Sequence, residues 1–162
     1  MLTWKIGLIL LAQFTAACGG PADSETAAQP PFKPVSSIKE IMHDVVFPHA
    51  DRVWDSVGTI ITIEGTEEIY PRTEEEWIAL QSDARTLMEA GNLLMIEGRA
   101  KDTEKWMGRA GALIDAAEKV LEAAEAQDSA AVFDRGELIY NACQNCHWEY
   151  NYEIDPGIIR IY

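Results

Sequence analysis

Five consecutive residues, Cys143-Gln144-Asn145-Cys146-His147, restrict what this chain can become more than any other stretch. Cys-x-x-Cys-His is the attachment signature of a covalently bound haem of the c type. In a helix, thiols three residues apart lie on one face, where both can form thioethers to the two haem vinyl groups without distorting the backbone. His147 follows Cys143 by four residues and shares that face. Its imidazole can therefore bind iron from the side that the tether already fixes, as the proximal histidine does in other haem proteins. The pentapeptide supplies both the anchor and the fifth iron ligand, and the expected cofactor is one covalent haem c.

Three plainer uses of the two cysteines compete with this one. A thioredoxin-like redox pair belongs beside a βαβ pattern, whereas this pair lies near the end of a chain with helical periodicity almost throughout. A zinc site needs four well-separated ligands, and no second cysteine pair follows the N-terminal segment. A disulfide between Cys143 and Cys146 would close a loop too short to stabilise the fold appreciably.

The length of 162 residues and an apolar fraction of 48% suit one domain with a sizeable core. Its elements can be read from caps and periodicity. Ser36 or Ser37 opens a first helix, with Glu40 placed to close a capping box from Ser37. Ile38, Met42, Val45, His49, Val53 and Ser56 form its inward face, Pro48 should bend it or open a hydrogen bond, and Gly58 ends it. Thr59–Ile63 alternates β-branched residues, Glu64-Gly65 is a turn, and Glu67–Tyr70 can return as a second strand; an irregular loop is the alternative to this small β-hairpin. Thr73-Glu74-Glu75-Glu76 is a capping box for the second helix, whose inward set is Trp77, Leu80, Ala84, Leu87, Met88, Gly91, Leu94 and Met95, with Gly98 as its stop. Asp102 or Thr103 caps the third, with Trp106, Ala110, Leu113, Ala117, Val120 and Leu121 inward and an end near Gln127. The fourth starts by Asp128 or Ser129, places Val132, Phe133, Leu138 and Tyr140 ahead of the cysteine motif, and stops by Asp155-Pro156-Gly157. An all-α fold is expected, an antiparallel up-down-up-down four-helix bundle spanning residues 36–162.

The N-terminus carries an address. Residues 1–17 combine one positive residue, Lys5, the apolar run Ile6–Ala12, and the small residues Thr15-Ala16-Ala17 before Cys18. That pattern is a signal peptide. Small residues immediately before a cysteine resemble a bacterial lipobox, although Thr15 stands where leucine is usual, so Cys18 is expected to be lipidated; ordinary cleavage nearby, leaving a free thiol, is the alternative. Residues 18–35, ending in Pro30-Pro31 and Pro34, form a flexible tether. Either outcome places the domain outside the cytoplasm, in the periplasm or its equivalent, and lipidation would hold it to a membrane. Cleavage removes Lys5 from the 13 basic residues and leaves 12 against 27 acidic ones, a formal charge of −15. Such a surface argues against nucleic acid and anionic lipid as direct ligands and suits basic redox-partner proteins; simple solubility accounts for it equally well.

In an up-down-up-down bundle the end of helix four lies beside the start of helix one. Met42, about five residues into the first helix, and His147, about five from the end of the last, then sit roughly 7 to 8 Å from the same end. Met42 is accordingly the candidate distal ligand, since a thioether is a known haem-iron ligand, with packing against haem without a bond as the alternative. His43 is at the right height but rotated by about 100°, and His49 lies roughly 10 Å deeper, where a satisfied core histidine is the ordinary outcome. Met95 and Met107 also fall near that end, with core packing as their ordinary fate. Arg99, Lys101 and Arg109 are cations placed to meet haem propionates, while Trp54, Trp77, Trp106, Tyr140 and Trp148 read as core or pocket walls.

With Tyr140-Asn141-Ala142-Cys143-Gln144-Asn145-Cys146-His147 on the last helix, Ile41-Met42 on the first, and Asn92-Leu93-Leu94-Met95 with Gly98-Arg99 closing the second, the chain resembles class II c-type cytochromes, the cytochrome c-prime superfamily, over about Ser36–Tyr152. The resemblance implies one of two functions. Low-spin members carry electrons with His and Met ligands, roles that would fall on His147 and Met42. High-spin members leave the sixth position empty and bind nitric oxide or carbon monoxide. A methionine at the low-spin position favours the electron carrier. Trp148-Glu149 after the histidine, where the family often has a basic residue, the hairpin and the apolar tail Ile158–Tyr162 depart from the family pattern. No constellation of nucleophile, base and oxyanion donors argues for an enzyme. Whether the domain pairs as a homodimer, as relatives in that superfamily often do, is left open by the sequence.

Overall fold

The computed structural model describes residues 32–150. The expected signal peptide, Cys18, most of the tether and the tail from residue 151 lie outside the described residues. The described chain is mostly helical, with four helices and one small antiparallel sheet.

The first helix, α1, starts where its local chemistry dictates. Ser37 Oγ accepts the Glu40 N–H at 3.2 Å, and the Glu40 carboxylate accepts the Ser37 N–H at 2.7 Å, a closed capping box. The helix then changes pitch twice: Ile38–Ile41 is α-helical, Met42–Val46 π-helical and Phe47–Asp55 α-helical again. The change falls just before Pro48, the residue with no N–H to extend an α-helical ladder. Helix α1 ends at Asp55, earlier than Gly58, because Gly58 already belongs to a strand.

Strands β1 (Gly58–Thr62) and β2 (Gly65–Ile69) pair antiparallel, with Thr62 opposite Gly65. The two-residue turn is therefore Ile63-Glu64, one position earlier than the sequence suggests. Both strands are largely exposed, and Ile61 and Ile63 point into solvent.

Helix α2 (Glu74–Met95) opens with the second closed capping box, Thr73 with Glu76. It stops at Met95, not at Gly98: Ile96 is already extended, and Gly98, at φ +88°, makes the left-handed bend that follows. Helix α3 (Lys105–Glu125) is capped from outside its first turn, as Asp102 Oδ1 accepts the N–H groups of Glu104 at 3.0 Å and Trp106 at 2.9 Å. Helix α4 (Ser129–Tyr150) is capped by Asp128, whose Oδ1 accepts the Ala131 N–H at 2.9 Å.

Cross-contacts show how these helices run against one another. The start of α3 meets the end of α2, where Trp106 Nε1 donates to the Leu94 carbonyl at 2.8 Å, while Arg85 of α2 pairs with Glu125 at the far end of α3. The two are antiparallel. Lys105 and Arg109 at the start of α3 pair with Glu149 at the end of α4, so that pair is antiparallel too. Helix α1 touches α2 through Arg52 and Asp83, and α4 through Trp54, whose Nε1 donates to the Gly136 carbonyl at 3.0 Å. Leu87, Ile139, Val53, Val120 and Val132 are the largest completely buried side chains, and they come from all four helices.

Tyr140, expected as a core or pocket wall, lies instead at the surface of α4. Phe133, Leu138 and Tyr140 are exposed, and the buried stripe is Val132, Gly136, Ile139 and Ala142. This stripe keeps the i, i+3, i+4 spacing and runs directly into Cys143 and Cys146. Gly136 belongs to it because a Cβ there would come within 3.3 Å of the Trp54 ring.

Glycine-to-alanine exchanges should separate close packing from helix propensity. A Cβ at Gly91 would meet Ile114 Cγ1 at 2.4 Å and the Ala110 carbonyl oxygen at 3.0 Å, whereas one at Gly108 meets nothing within 4 Å. Urea denaturation should show G91A destabilised by about 1–3 kcal/mol through overpacking and G108A stabilised by about 0.5–1 kcal/mol through propensity.

Acid should loosen the caps. Glu40 is held below the usual carboxylate range by the Ser37 N–H and then the Ser37 hydroxyl, and Glu76 by the N–H groups of Arg72 and Thr73. A lowered folded-state pKa contributes stability above the unfolded-state value, about 4.3 for glutamate, and that stability is lost as pH falls through the folded value. The melting temperature should decline as pH drops below about 4, and the Glu40→Gln, Glu76→Gln double variant should show a shallower decline.

Candidate functional site

The buried stripe of α4 delivers Cys143, Cys146 and His147 to one wall of a narrow crevice whose internal space is about 20 Å³. Its other walls come from every helix: Met42 and Val46 of α1, Leu94 of α2, Trp106, Arg109, Ala110 and Leu113 of α3, and Ala142 of α4. Met42 and the cysteine-histidine motif, more than a hundred positions apart in the chain, thus face a common space. The lining is apolar apart from the motif itself and Arg109.

Burial sets the protonation of the motif. It pushes the Cys143 thiol up to about 11, helped by the neighbouring Cys146, and it also raises Cys146 against the opposing pull of Arg109. Both are free cysteines here and neutral thiols at physiological pH. Burial lowers the pKa of His147, so its imidazole is neutral, the form that binds metal. Two thiols, a neutral imidazole and a thioether in an apolar crevice are the donor set and surroundings that a covalent haem requires, so the residues fit that group. Among the described residues, no three His, Cys, Asp or Glu side chains gather as a metal-ion cage.

The mouth of the crevice is organised by charge. Glu149 accepts from Lys105 Nζ at 2.7 Å and Arg109 Nε at 3.2 Å, and these partners hold its carboxylate below the usual range, Lys105 most strongly. Tyr150 donates its hydroxyl to Asp102, the residue that caps α3, and stacks edge-on against Trp106 at 5.0 Å. The end of α4 is thereby tied to the start of α3 beside the crevice.

The remaining candidates separate clearly. His43 is 86% exposed with Nδ1 2.6 Å from Asp44 Oδ1, away from the crevice. His49 donates from Nδ1 to the Val45 carbonyl at 2.7 Å, and its Nε2 lies 3.9 Å from Asp83. Met95 and Met107 are partly buried against the core. Arg99 is buried and donates to the Ser36 carbonyl at 3.0 Å and the Leu93 carbonyl at 3.1 Å, so it joins the segment before α1 to the end of α2. Lys101 is exposed, and only Arg109 of the three expected cations lines the crevice. Trp54, Trp77 and Trp106 pack as expected, but Trp148 is 87% exposed and walls nothing.

Sequence reasoning missed Asp83, buried on α2 with Oδ1 2.8 Å from Arg52 Nε and 2.7 Å from Arg52 Nη2. A carboxylate three residues after Leu80 and four before Leu87, on an otherwise apolar stripe, was the available signal. Among the described residues no helix is long and apolar enough to cross a membrane. Comparison of the chain with protein-family models, curated proteins and solved structures finds no match.

The raised thiol values predict slow chemistry in the haem-free protein. Since the thiolate is the nucleophile, alkylation at pH 8 should be slower at Cys143 and Cys146 than in an unfolded control, with Cys143 the slower of the two. Rates equal to the unfolded control would show that both thiols are solvated.

Proposed function

We propose that this chain is a c-type cytochrome that carries electrons, built as an antiparallel up-down-up-down four-helix bundle. One observation carries the proposal: Met42 from the first helix and Cys143, Cys146 and His147 from the last line one apolar crevice. Haem bound there would supply a one-electron ferric/ferrous couple. Cys143 and Cys146 would hold it through thioethers, His147 would bind the iron, and Met42 would bind the sixth position. Arg109, at the crevice and 3.2 Å from Glu149, offers a cation to a propionate. A His/Met pair raises the reduction potential, and apolar walls raise it further by disfavouring the ferric charge.

The helix pairing supports the bundle, since α2 runs against α3 and α3 against α4, with α1 closing on α2 and α4. It also supports the likeness to class II c-type cytochromes. The signal peptide and Cys18 would place the protein outside the cytoplasm on a lipid anchor, and a formal charge of −14 for the whole chain suits basic redox partners.

In the haem-loaded protein, Met42→Ala should turn a low-spin iron that ignores carbon monoxide into one that binds it, as read by the absorption spectrum of the ferrous form. If the unaltered protein already binds carbon monoxide, the reading moves to five-coordinate iron that takes up nitric oxide or carbon monoxide. If the Met42→Ala spectrum is unchanged, Met42 is not a ligand.

A further inference from the structure

Two residues of haem-ligand type stand side by side on α1, Met42 and His43, and only Met42 lines the crevice. The backbone makes this choice. Within the π-helical turn Met42–Val46, the Phe47 N–H donates to the Met42 carbonyl, five residues back. In an unbroken α-helix it would donate to His43, four residues back. The turn therefore holds one extra residue, and everything before it stands about 100° from where continuous α-helix would put it.

The half of α1 that follows is pinned to its neighbours. Ala50 and Val53 are buried, Arg52 pairs with Asp83, and Trp54 is bonded to the Gly136 carbonyl. A return to α-helical pitch would thus rotate the first half, bringing His43 to the position Met42 now holds and Met42 to that of buried Ile41. Exchanging isoleucine for methionine nearly conserves volume, so the core would tolerate either register. The α-helical register is opposed by Pro48, because its ring would press on the Asp44 carbonyl and it has no N–H to offer there. With the π turn in place, Pro48 falls in the first turn of Phe47–Asp55, where proline is accommodated.

We infer that Pro48 is a positioning residue: by enforcing the π turn it presents Met42 rather than His43 to the crevice, and so selects a thioether over a second imidazole as the distal ligand. The inference rests on the reading of the crevice as a haem site. The selection matters for function because methionine opposite histidine is the pairing that raises the potential.

The test compares the haem-loaded full-length protein with its Pro48→Ala variant by near-infrared magnetic circular dichroism, which distinguishes methionine from histidine as sixth ligand, and by redox titration. Pro48→Ala should lose methionine signal, gain bis-histidine signal and show a lower potential; the bis-histidine signal should vanish when His43→Ala is added. A Pro48→Ala spectrum and potential identical to the unaltered protein would overturn the inference, as would a bis-histidine signal that survives His43→Ala and so comes from another histidine. Absence of a methionine signal in the unaltered protein would instead overturn the ligand assignment beneath it. Alanine favours the helix more than proline does, so the variant retains the means to fold.

Discussion

Everything at the candidate site depends on one stripe of α4 meeting two demands at once. It must pack against the other helices, and it must turn two thiols and an imidazole toward the same side. Helical geometry reconciles them: Ala142 continues the buried line of Val132, Gly136 and Ile139, and Cys143, Cys146 and His147 extend it where the neighbouring helices part to form the crevice. The small residues set the distance. Gly136 lets Trp54 of α1 approach closely, and Gly91 does the same between α2 and α3.

Polar contacts tie the helix ends together at this end of the molecule. Arg99 spends its donors on backbone carbonyls of the segment before α1 and the end of α2. Glu149 gathers Lys105 and Arg109, and Tyr150 bonds to the Asp102 that caps α3. The exposed ion pairs contribute little stability individually, but the set fixes which helix ends adjoin the crevice. A wall built this way can keep Met42 and His147 on a common space although they lie far apart in the chain.

Much of this was legible because it is local. The capping boxes at Ser37 and Thr73 involve groups three residues apart, and the hairpin follows from alternation around a turn, so neither needs knowledge of the fold. That Met42 and the cysteine-histidine motif meet at one end of the molecule was legible from helical position. The buried stripe of α4 was harder to read, because it joins Val132 and Ile139 to Gly136 and Ala142, small residues whose place depends on tertiary contacts such as that of Gly136 with Trp54. Pro48 announced an interrupted ladder, but a kink, a break and a π turn are all available to proline, and the choice depends on how Ala50, Val53 and Trp54 are anchored. Arg99 read as a free cation because its acceptors are backbone carbonyls, which leave no trace in side-chain sequence.

Covalent attachment of haem at Cys143 and Cys146 is the step on which the proposed electron carrier stands or falls. The most direct measurement is the mass of the denatured full-length protein after expression in a host with c-type haem maturation, compared with a Cys143→Ser, Cys146→Ser variant. The unaltered chain should retain one haem through denaturation and the variant none. An unaltered chain that emerges haem-free, with both thiols reduced, would contradict covalent attachment.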